Sequence, residues 1–474
     1  MAHLFISAAH KSSGKTTLSI GLCAAFRERG LRVQPFKKGP DYIDPMWLSR
    51  AAGQPCLNLD FHNQGHDEIL TAFGPGHDDA DISIIEGNKG LYDGLDLDGS
   101  NSNAALAGLL RSPVILVIDA QGMTRGIAPL ILGYQAFEPG IQIAGVILNK
   151  LGGSRHEAKL RAVIEHYTDV PVVGAVHRDP LLNIQERHLG LIPSNEADEV
   201  NRQIHAVAEL VAQQVDLTRL QHIAAQAPRP RFTPPASGAR PATALRIGIA
   251  RDAAFGFYYP NDLQAFARAG AELVPFDTLH DARLPEVDGL FIGGGFPETQ
   301  MQALEANRSL RAEIRRAVAD GMPVYAECGG LMYLTRSLTW GEQTCDMVGA
   351  IPADAVMHAR PQGRGYVHLQ HTEHMPWSIG AETPPGRHDT APVLNAHEFH
   401  YSALENLAPD TRFAYRVLRG AGIDGQHDGI VHRNVLACYT HLRDVGQHRW
   451  VQQFVDFVRA CRADNRQALD AASR

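Results

Sequence analysis

Cys328 stands in the run Val324-Tyr325-Ala326-Glu327-Cys328-Gly329-Gly330-Leu331-Met332. An apolar strand leads to a thiol, then two glycines, then a helix-forming stretch. That order describes a nucleophile elbow, a sharp turn that exposes the thiol at a helix N-terminus, where dipole and imidazole favour the thiolate. The Gly329 N–H is placed to stabilise an oxyanion, and the glycine loop Gly293-Gly294-Gly295 supplies a second donor, assigned to Gly294. The base must be a distant histidine, because such triads are spatial. His441, ending the apolar run Val435-Leu436-Ala437-Cys438-Tyr439-Thr440-His441, is the first candidate, with His397 and His400 as competitors among 23 histidines.

A second set of residues handles phosphate. Gly14-Lys15-Thr16-Thr17 follows an apolar strand and opens a helix, which is the closing part of a phosphate-binding loop. Backbone N–H groups hold phosphate oxygens there, Lys15 reaches the β- and γ-phosphates, and the Thr16 hydroxyl ligates Mg²⁺. Ala9 occupies the place where the pattern has its first glycine. Glu86 ends the strand Ile82–Ile85 and begins a glycine-rich loop with a second carboxylate at Asp93. Mg²⁺ needs few protein oxygens, so Thr16 with Glu86 and Asp41 suffices. The loop Phe36-Lys37-Lys38-Gly39-Pro40-Asp41-Tyr42-Ile43-Asp44-Pro45 brings cations and carboxylates to the same sheet edge, with Lys37 as a catalytic cation. Asn149 ends another strand and is a candidate reader of the adenine edge.

Both sets need strand ends to hold them. Residues 4–150 alternate short apolar runs with helical stretches, the pattern of a doubly wound α/β sheet of buried parallel strands. Residues 216–244 contain the Pro-, Ala- and Arg-dense AQAPRPRFTPPASGARPATA and read as a linker. Alternation restarts at Leu245. The expected organisation is therefore a P-loop domain over 1–215, a linker, and a second α/β domain over 245–474.

Composition agrees with a globular enzyme. Of 474 residues 44% are apolar and 20% charged, and two domains are the natural division. Acidic residues outnumber basic ones, 52 to 44, so no positive excess suggests nucleic acid. The six cysteines form no CxxC pair, as expected of free thiols in a reducing compartment. No apolar run reaches membrane-spanning length. A soluble, cytoplasmic protein is expected.

Together these blocks resemble the cobyrinate a,c-diamide synthase family over nearly the whole chain. The resemblance rests on the Gly14-Lys15-Thr16 loop, KKGPDYIDP, EGNKGLYDG, ERHLGLIPS at 186–194, GGGFPE, YAECGGLMYL, NAHEFHYS and CYTHL. It implies a dethiobiotin-synthetase-like domain that phosphorylates a tetrapyrrole acetate with ATP and Mg²⁺, and a class I-like glutaminase that supplies ammonia. It puts Mg–ATP chemistry on Lys15, Thr16, Asp41 and Glu86, with Asp93 near the reacting groups. Cys328 becomes the nucleophile and His441 its base, and Asn149 is related to adenine recognition. Glu186, Arg187 and His188 fall on the substrate side, with Tyr42, although by sequence alone the run 186–188 reads equally as a helix end.

Asn88-Lys89 stands where commoner members carry an apolar pair, and the loop His10-Lys11-Ser12-Ser13 is unusual. These departures resemble a sulfite-reductase-associated branch that amidates sirohaem, with Lys89 pairing a peripheral carboxylate. Expected partners are therefore ATP, glutamine and a tetrapyrrole (sirohaem, or cobyrinate or hydrogenobyrinate), with a homodimer compatible. Three rivals remain: a cobyric acid synthase type, a dethiobiotin-type carboxylase, and a P-loop ATPase switch. The attached glutaminase opposes the second. The third needs a signature lysine where His10 stands.

Overall fold

The strands of the first half are apolar on both faces because helices cover both sides of the sheet. In the computed structural model, which describes residues 2–182, 184, 186–187, 190–191, 199–232, 245–377, 392–446 and 448–472, the chain divides into two compact units at residue 236. For 186–187, 190–191 and 465–472 the description covers the backbone alone.

The main sheet of the first unit has seven strands: β1 (Ala2–Ala8), β2 (Val33–Lys38), β3 (Leu57–Leu59), β4 (Ile82–Glu86), β5 (Val114–Asp119), β6 (Ile143–Leu151) and β7 (Val172–His177). All pair in parallel, in the order β3-β2-β4-β1-β5-β6-β7. The chain winds outward from β1 through β2 and β3, returns to β4, and then winds the other way through β5–β7. Winding thus reverses around β1, and a doubly wound sheet opens its crevice at the strand C-termini beside such a reversal. The loops after β1, β2 and β4 meet there.

The helix Lys15–Glu28 packs against the helix Val200–Gln214 through Gly21, where a Cβ would press on Val207 and Val211. The stretch 216–244, expected to be linker throughout, begins as structure. Residues Leu217–Ala225 form a helix whose Leu217, Leu220 and Ala224 are buried, and Phe232 packs over Gly74. The Pro- and Arg-rich composition hid this short apolar face, which recurs at helical spacing. Residues 233–244 lie outside the described residues.

The second unit contains a nine-stranded sheet. Its first five strands are parallel: Ala271–Phe276, Leu245–Ala250, Gly289–Ile292, Val324–Glu327 and Val435–Cys438. The remaining four, His427–His432, Arg412–Arg419, Gly363–His371 and Leu394–His400, are antiparallel. The expected α/β sheet is therefore present, extended by an antiparallel half. Aromatic rings pack behind its parallel centre: Phe291 stacks on Tyr325 at 5.5 Å, and Trp450 contacts both. No helix among the described residues is long and apolar enough to cross a membrane.

Candidate active sites

After β1 the backbone turns through left-handed residues, Ser12 at φ 65° and Gly14 at φ 89°. Three side chains brace that turn. Asn149 Nδ2 donates to the Ser13 carbonyl (2.8 Å), Lys150 Nζ to Ser12 (2.9 Å), and the Tyr134 hydroxyl to Ala9. A Cβ at position 14 would collide with the Asn149 amide, so this site takes glycine for space as well as for φ. Asn149, expected at the adenine edge, is buried here with its amide committed to the phosphate loop.

Lys15 and Thr16 begin the helix, and the strand-end loops bring acids to them. Thr16 Oγ1 donates to Glu86 Oε1 (2.7 Å) and approaches Asp44 Oδ2 (3.3 Å). Lys37 Nζ lies 2.5 Å from Asp44, 2.8 Å from Glu86 and 3.6 Å from Asp41. Burial works against the Lys37 charge, but Asp44, Glu86 and Asp41 outweigh it and hold its pKa well above the lysine range. Burial raises Glu86, against the pull of Lys37. Burial, with repulsion from Asp44, raises Asp41 to about 7. Lys15 is also buried, which lowers its pKa, although Glu86, Asp44 and Asp93 lie close enough to oppose the shift.

The sequence reading saw two carboxylates at this edge but gave a role only to Asp41. Asp41, expected as a metal ligand, uses Oδ1 to accept from the Ile43 and Asp44 N–H groups at the start of the helix Ile43–Ala52. Asp44 makes the contact to Thr16 and the shorter of the two contacts to Lys37, with Asp41 Oδ2 at 3.6 Å from that amine. The signal for Asp44 was present: an acid three residues after Asp41, in the first turn of the helix that starts at the same edge.

Among the described residues no three His, Cys, Asp or Glu side chains form a metal-holding cluster. Mg²⁺ does not require one, since phosphate and water complete its octahedron. The donor set fits it: Glu86 Oε2 is buried without a hydrogen-bond partner among the described residues, next to Thr16 and Asp44.

Asp93 accepts from the Gly90 N–H (2.9 Å), while the Leu91 N–H donates to Ala8 (2.8 Å), fastening this loop to the end of β1. Asn103, which the sequence reading missed, ties the loop together from Asn88 to Gly90. Thr17 reaches the Leu182 carbonyl at 3.4 Å, Tyr42 is buried, and Lys89 is exposed. Arg187 lies on a short strand, Glu186–Arg187, whose side chains, like His188, fall outside the described residues.

In the second unit, three adjacent parallel strands deliver the other set. Cys328 follows the middle one at φ 49°, a strained conformation that aims a side chain out of the turn. It precedes the short helix Gly329–Leu334. Close packing explains both glycines: a Cβ on Gly330 would strike the Ile292 carbonyl, and one on Gly329 would lie 3.1 Å from Gly295 N. The glycine loop follows one flanking strand, and His441 follows the other. A Cβ on Gly294 would lie 2.7 Å from His441 Cε1, so loop, thiol and imidazole converge.

His441 hydrogen-bonds Cys328 and, through Nδ1, Glu327 Oε2 at 3.3 Å. Glu327 is fixed in turn by the Tyr325 hydroxyl (2.6 Å) and the Leu442 N–H (3.0 Å). Burial disfavours charge on His441, but the hydrogen bonds and charges of Cys328 and Glu327 overcome it and raise the pKa to about 10. Glu327 escaped the sequence reading because nothing marks the residue before a nucleophile as a partner of a histidine 114 positions away. The competitors fall elsewhere. His397 stacks on the His441 ring at 5.0 Å, and His400 stacks on Tyr439 with its Nδ1 on the Ser402 carbonyl.

A nucleotide-binding unit and a Cys–His–Glu unit in one chain define a carbon–nitrogen ligase that draws its nitrogen from glutamine. Residues 5–192 match the CobQ/CobB/MinD/ParA nucleotide binding domain, and residues 246–445 the CobB/CobQ-like glutamine amidotransferase domain. The chain belongs to the cobyrinate a,c-diamide synthase family. It is 45% identical to the cobyrinate a,c-diamide synthase of Magnetococcus marinus, over 96% of this chain and 97% of that one. Identity to the protein of that name from Methanosarcina acetivorans is 41%, over 97% and 96%. For the one from Listeria monocytogenes serotype 4b it is 37%, over 93% and 96%.

Proposed function

We propose that the chain amidates peripheral acetate carboxylates of a tetrapyrrole, using ATP and glutamine, with cobyrinate as the acceptor named for its relatives. The observation that carries this reading is the Lys15–Thr16–Lys37–Asp44–Glu86 cluster at a phosphate loop, in a chain that also holds Cys328 hydrogen-bonded to His441.

A carboxylate is inert to ammonia until it carries a leaving group. In the first unit an acceptor carboxylate oxygen attacks the γ-phosphorus of ATP, giving an acyl phosphate and ADP. Lys15 and Lys37 stabilise charge on the transferring group. Thr16, Glu86 and Asp44 or Asp41 would hold Mg²⁺, which when bound would add neutralisation of the phosphate charge. Asp93, tied to the same loop, lies beside the reacting groups.

In the second unit the Cys328 sulfur attacks the glutamine amide carbon. His441 takes the thiol proton and passes it to the leaving nitrogen, releasing ammonia and leaving a thioester, which water hydrolyses to glutamate. The Gly329 and Gly294 N–H groups stabilise the oxyanions. Ammonia then attacks the acyl phosphate carbon, phosphate departs, and the amide forms.

The exposed Lys89 in the Asn88–Lys89 pair favours a second acceptor, sirohaem or another isobacteriochlorin. Mass spectrometry of the chain incubated with ATP, glutamine and either macrocycle separates the two. One or two amides gained on cobyrinate alone supports the first acceptor, and on sirohaem alone the second. No gain on either would sink the tetrapyrrole reading.

A further inference from the structure

Neighbouring residues of a strand point to opposite faces, and the end of β2 shows the consequence. Lys37 turns toward Asp44 and Glu86. Lys38 turns the other way, toward Asp60 after β3 and Lys89 after β4. It is buried to 6% exposure, and its amine has no hydrogen bond or ion pair among the described residues. Asp60 acts on it only from beyond ion-pair distance, and that carboxylate also accepts from the His62 N–H (3.1 Å) and Asn63 Nδ2 (2.6 Å).

A second unused donor lies alongside. Asn88 Oδ1 accepts the Lys89 N–H at 2.8 Å, which fixes the amide orientation. Its Nδ2 then lies 3.3 Å from where a Cβ would stand on Gly39, the residue after Lys38, and has no partner among the described residues. Lys89, exposed, brings a third N–H group and a second positive charge. Burial, reinforced by Lys89 and Lys37, lowers the Lys38 pKa to about 8 against the pull of Asp60. The Lys38 side chain is buried while its amine lacks an ion pair among the described residues, and an amine, an amide N–H and a second amine on adjoining strand-end loops suit one carboxylate.

The same two loops carry the reaction centre. Lys38 follows Lys37, and Asn88-Lys89 lies between Glu86 and Asp93. We infer that Lys38, Asn88 and Lys89 form a subsite for a second, non-reacting carboxylate of the acceptor, which sets which acetate meets the phosphoryl group. This rests on the proposed tetrapyrrole amidation, because only a polycarboxylate acceptor has a second carboxylate to offer.

The test is steady-state kinetics of full-length Lys38→Met and Lys89→Met with ammonia as nitrogen source, varying macrocycle and ATP separately. Loss of a charge-assisted contact should raise KM for the macrocycle about 10- to 100-fold and leave KM for ATP within about twofold. Chromatographic separation of the mono-amide fraction, with mass spectrometry to identify it, should show a mixture of isomers where wild type gives one. An unchanged macrocycle KM overturns the inference, as does an ATP KM rising in step, which would mark the donors as phosphate ligands. If Lys38→Met fails to fold, as judged by thermal melting, the exposed Lys89→Met decides by the same criteria. Wild-type chain that amidates no tetrapyrrole refutes the function itself. Wild-type turnover matched by both variants refutes the subsite alone.

Discussion

Glu327 occupies a position that ordinarily only finishes a strand, yet its carboxylate holds the His441 imidazole that hydrogen-bonds Cys328. Glu327→Gln should lower glutamine-dependent kcat on the order of a hundredfold, as expected when a base loses its orienting acid. Ammonia-dependent turnover should persist, and loss of both would show a folding defect instead. The same contact has a pH signature. The folded His441 pKa, near 10, exceeds its ordinary 6.5. Its contribution to stability is therefore present in full below pH 6.5 and is lost as pH rises through about 10. Melting curves should place Glu327→Gln furthest below wild type just below pH 6.5 and bring the two together near pH 10. Cys328→Ala should abolish turnover with glutamine while ammonia still supports it. Glu86→Gln should fail with either nitrogen source, because it removes an acid shared by Thr16 and Lys37. Full ammonia-driven turnover in that variant would remove Glu86 from the nucleotide chemistry.

The elements explain why these residues meet. Three parallel strands, Gly289–Ile292, Val324–Glu327 and Val435–Cys438, end side by side, so loops distant in sequence share one edge. The turn into the helix Gly329–Leu334 is tight enough for Gly330 to touch the neighbouring strand's backbone. Gly330→Ala should cost about 2–4 kcal/mol, since the Ile292 carbonyl it would strike cannot rotate away as a side chain would. Chemical denaturation is the check, and an unchanged midpoint would show that the elbow has room. In the first unit, reversal of winding around β1 performs the equivalent task for Lys15, Lys37 and Glu86.

On the scale of the whole chain, two compact units carry two separate sets of chemistry. A ligand that binds only folded protein stabilises the unit that holds it, by about 2.7 kcal/mol at a hundred times its Kd. Calorimetry with a non-hydrolysable ATP analogue should therefore raise one unfolding transition by about 5–10 °C for units of this size. A glutamine-site inhibitor should raise the other. A single transition moved equally by both would mean that the units unfold together.

The sequence by itself determined the chemistry: the Gly-Lys-Thr loop, the Cys-Gly-Gly elbow and the α/β alternation are local patterns, each dictated by turns that few residues can make. It also placed Cys328 and His441 at strand ends, because apolar runs reveal where strands stop. Strand order belonged to the tertiary structure, and with it every contact that crosses between strands. Only folding brought Glu327 to His441 and Asp44 to Thr16 and Lys37, or left the Lys38 amine without an ion pair among the described residues. Composition likewise concealed the helix Leu217–Ala225, whose apolar face acquires meaning only against the sheet that buries it. Long-range pairing is set by which faces pack together, and no local run of residues records it.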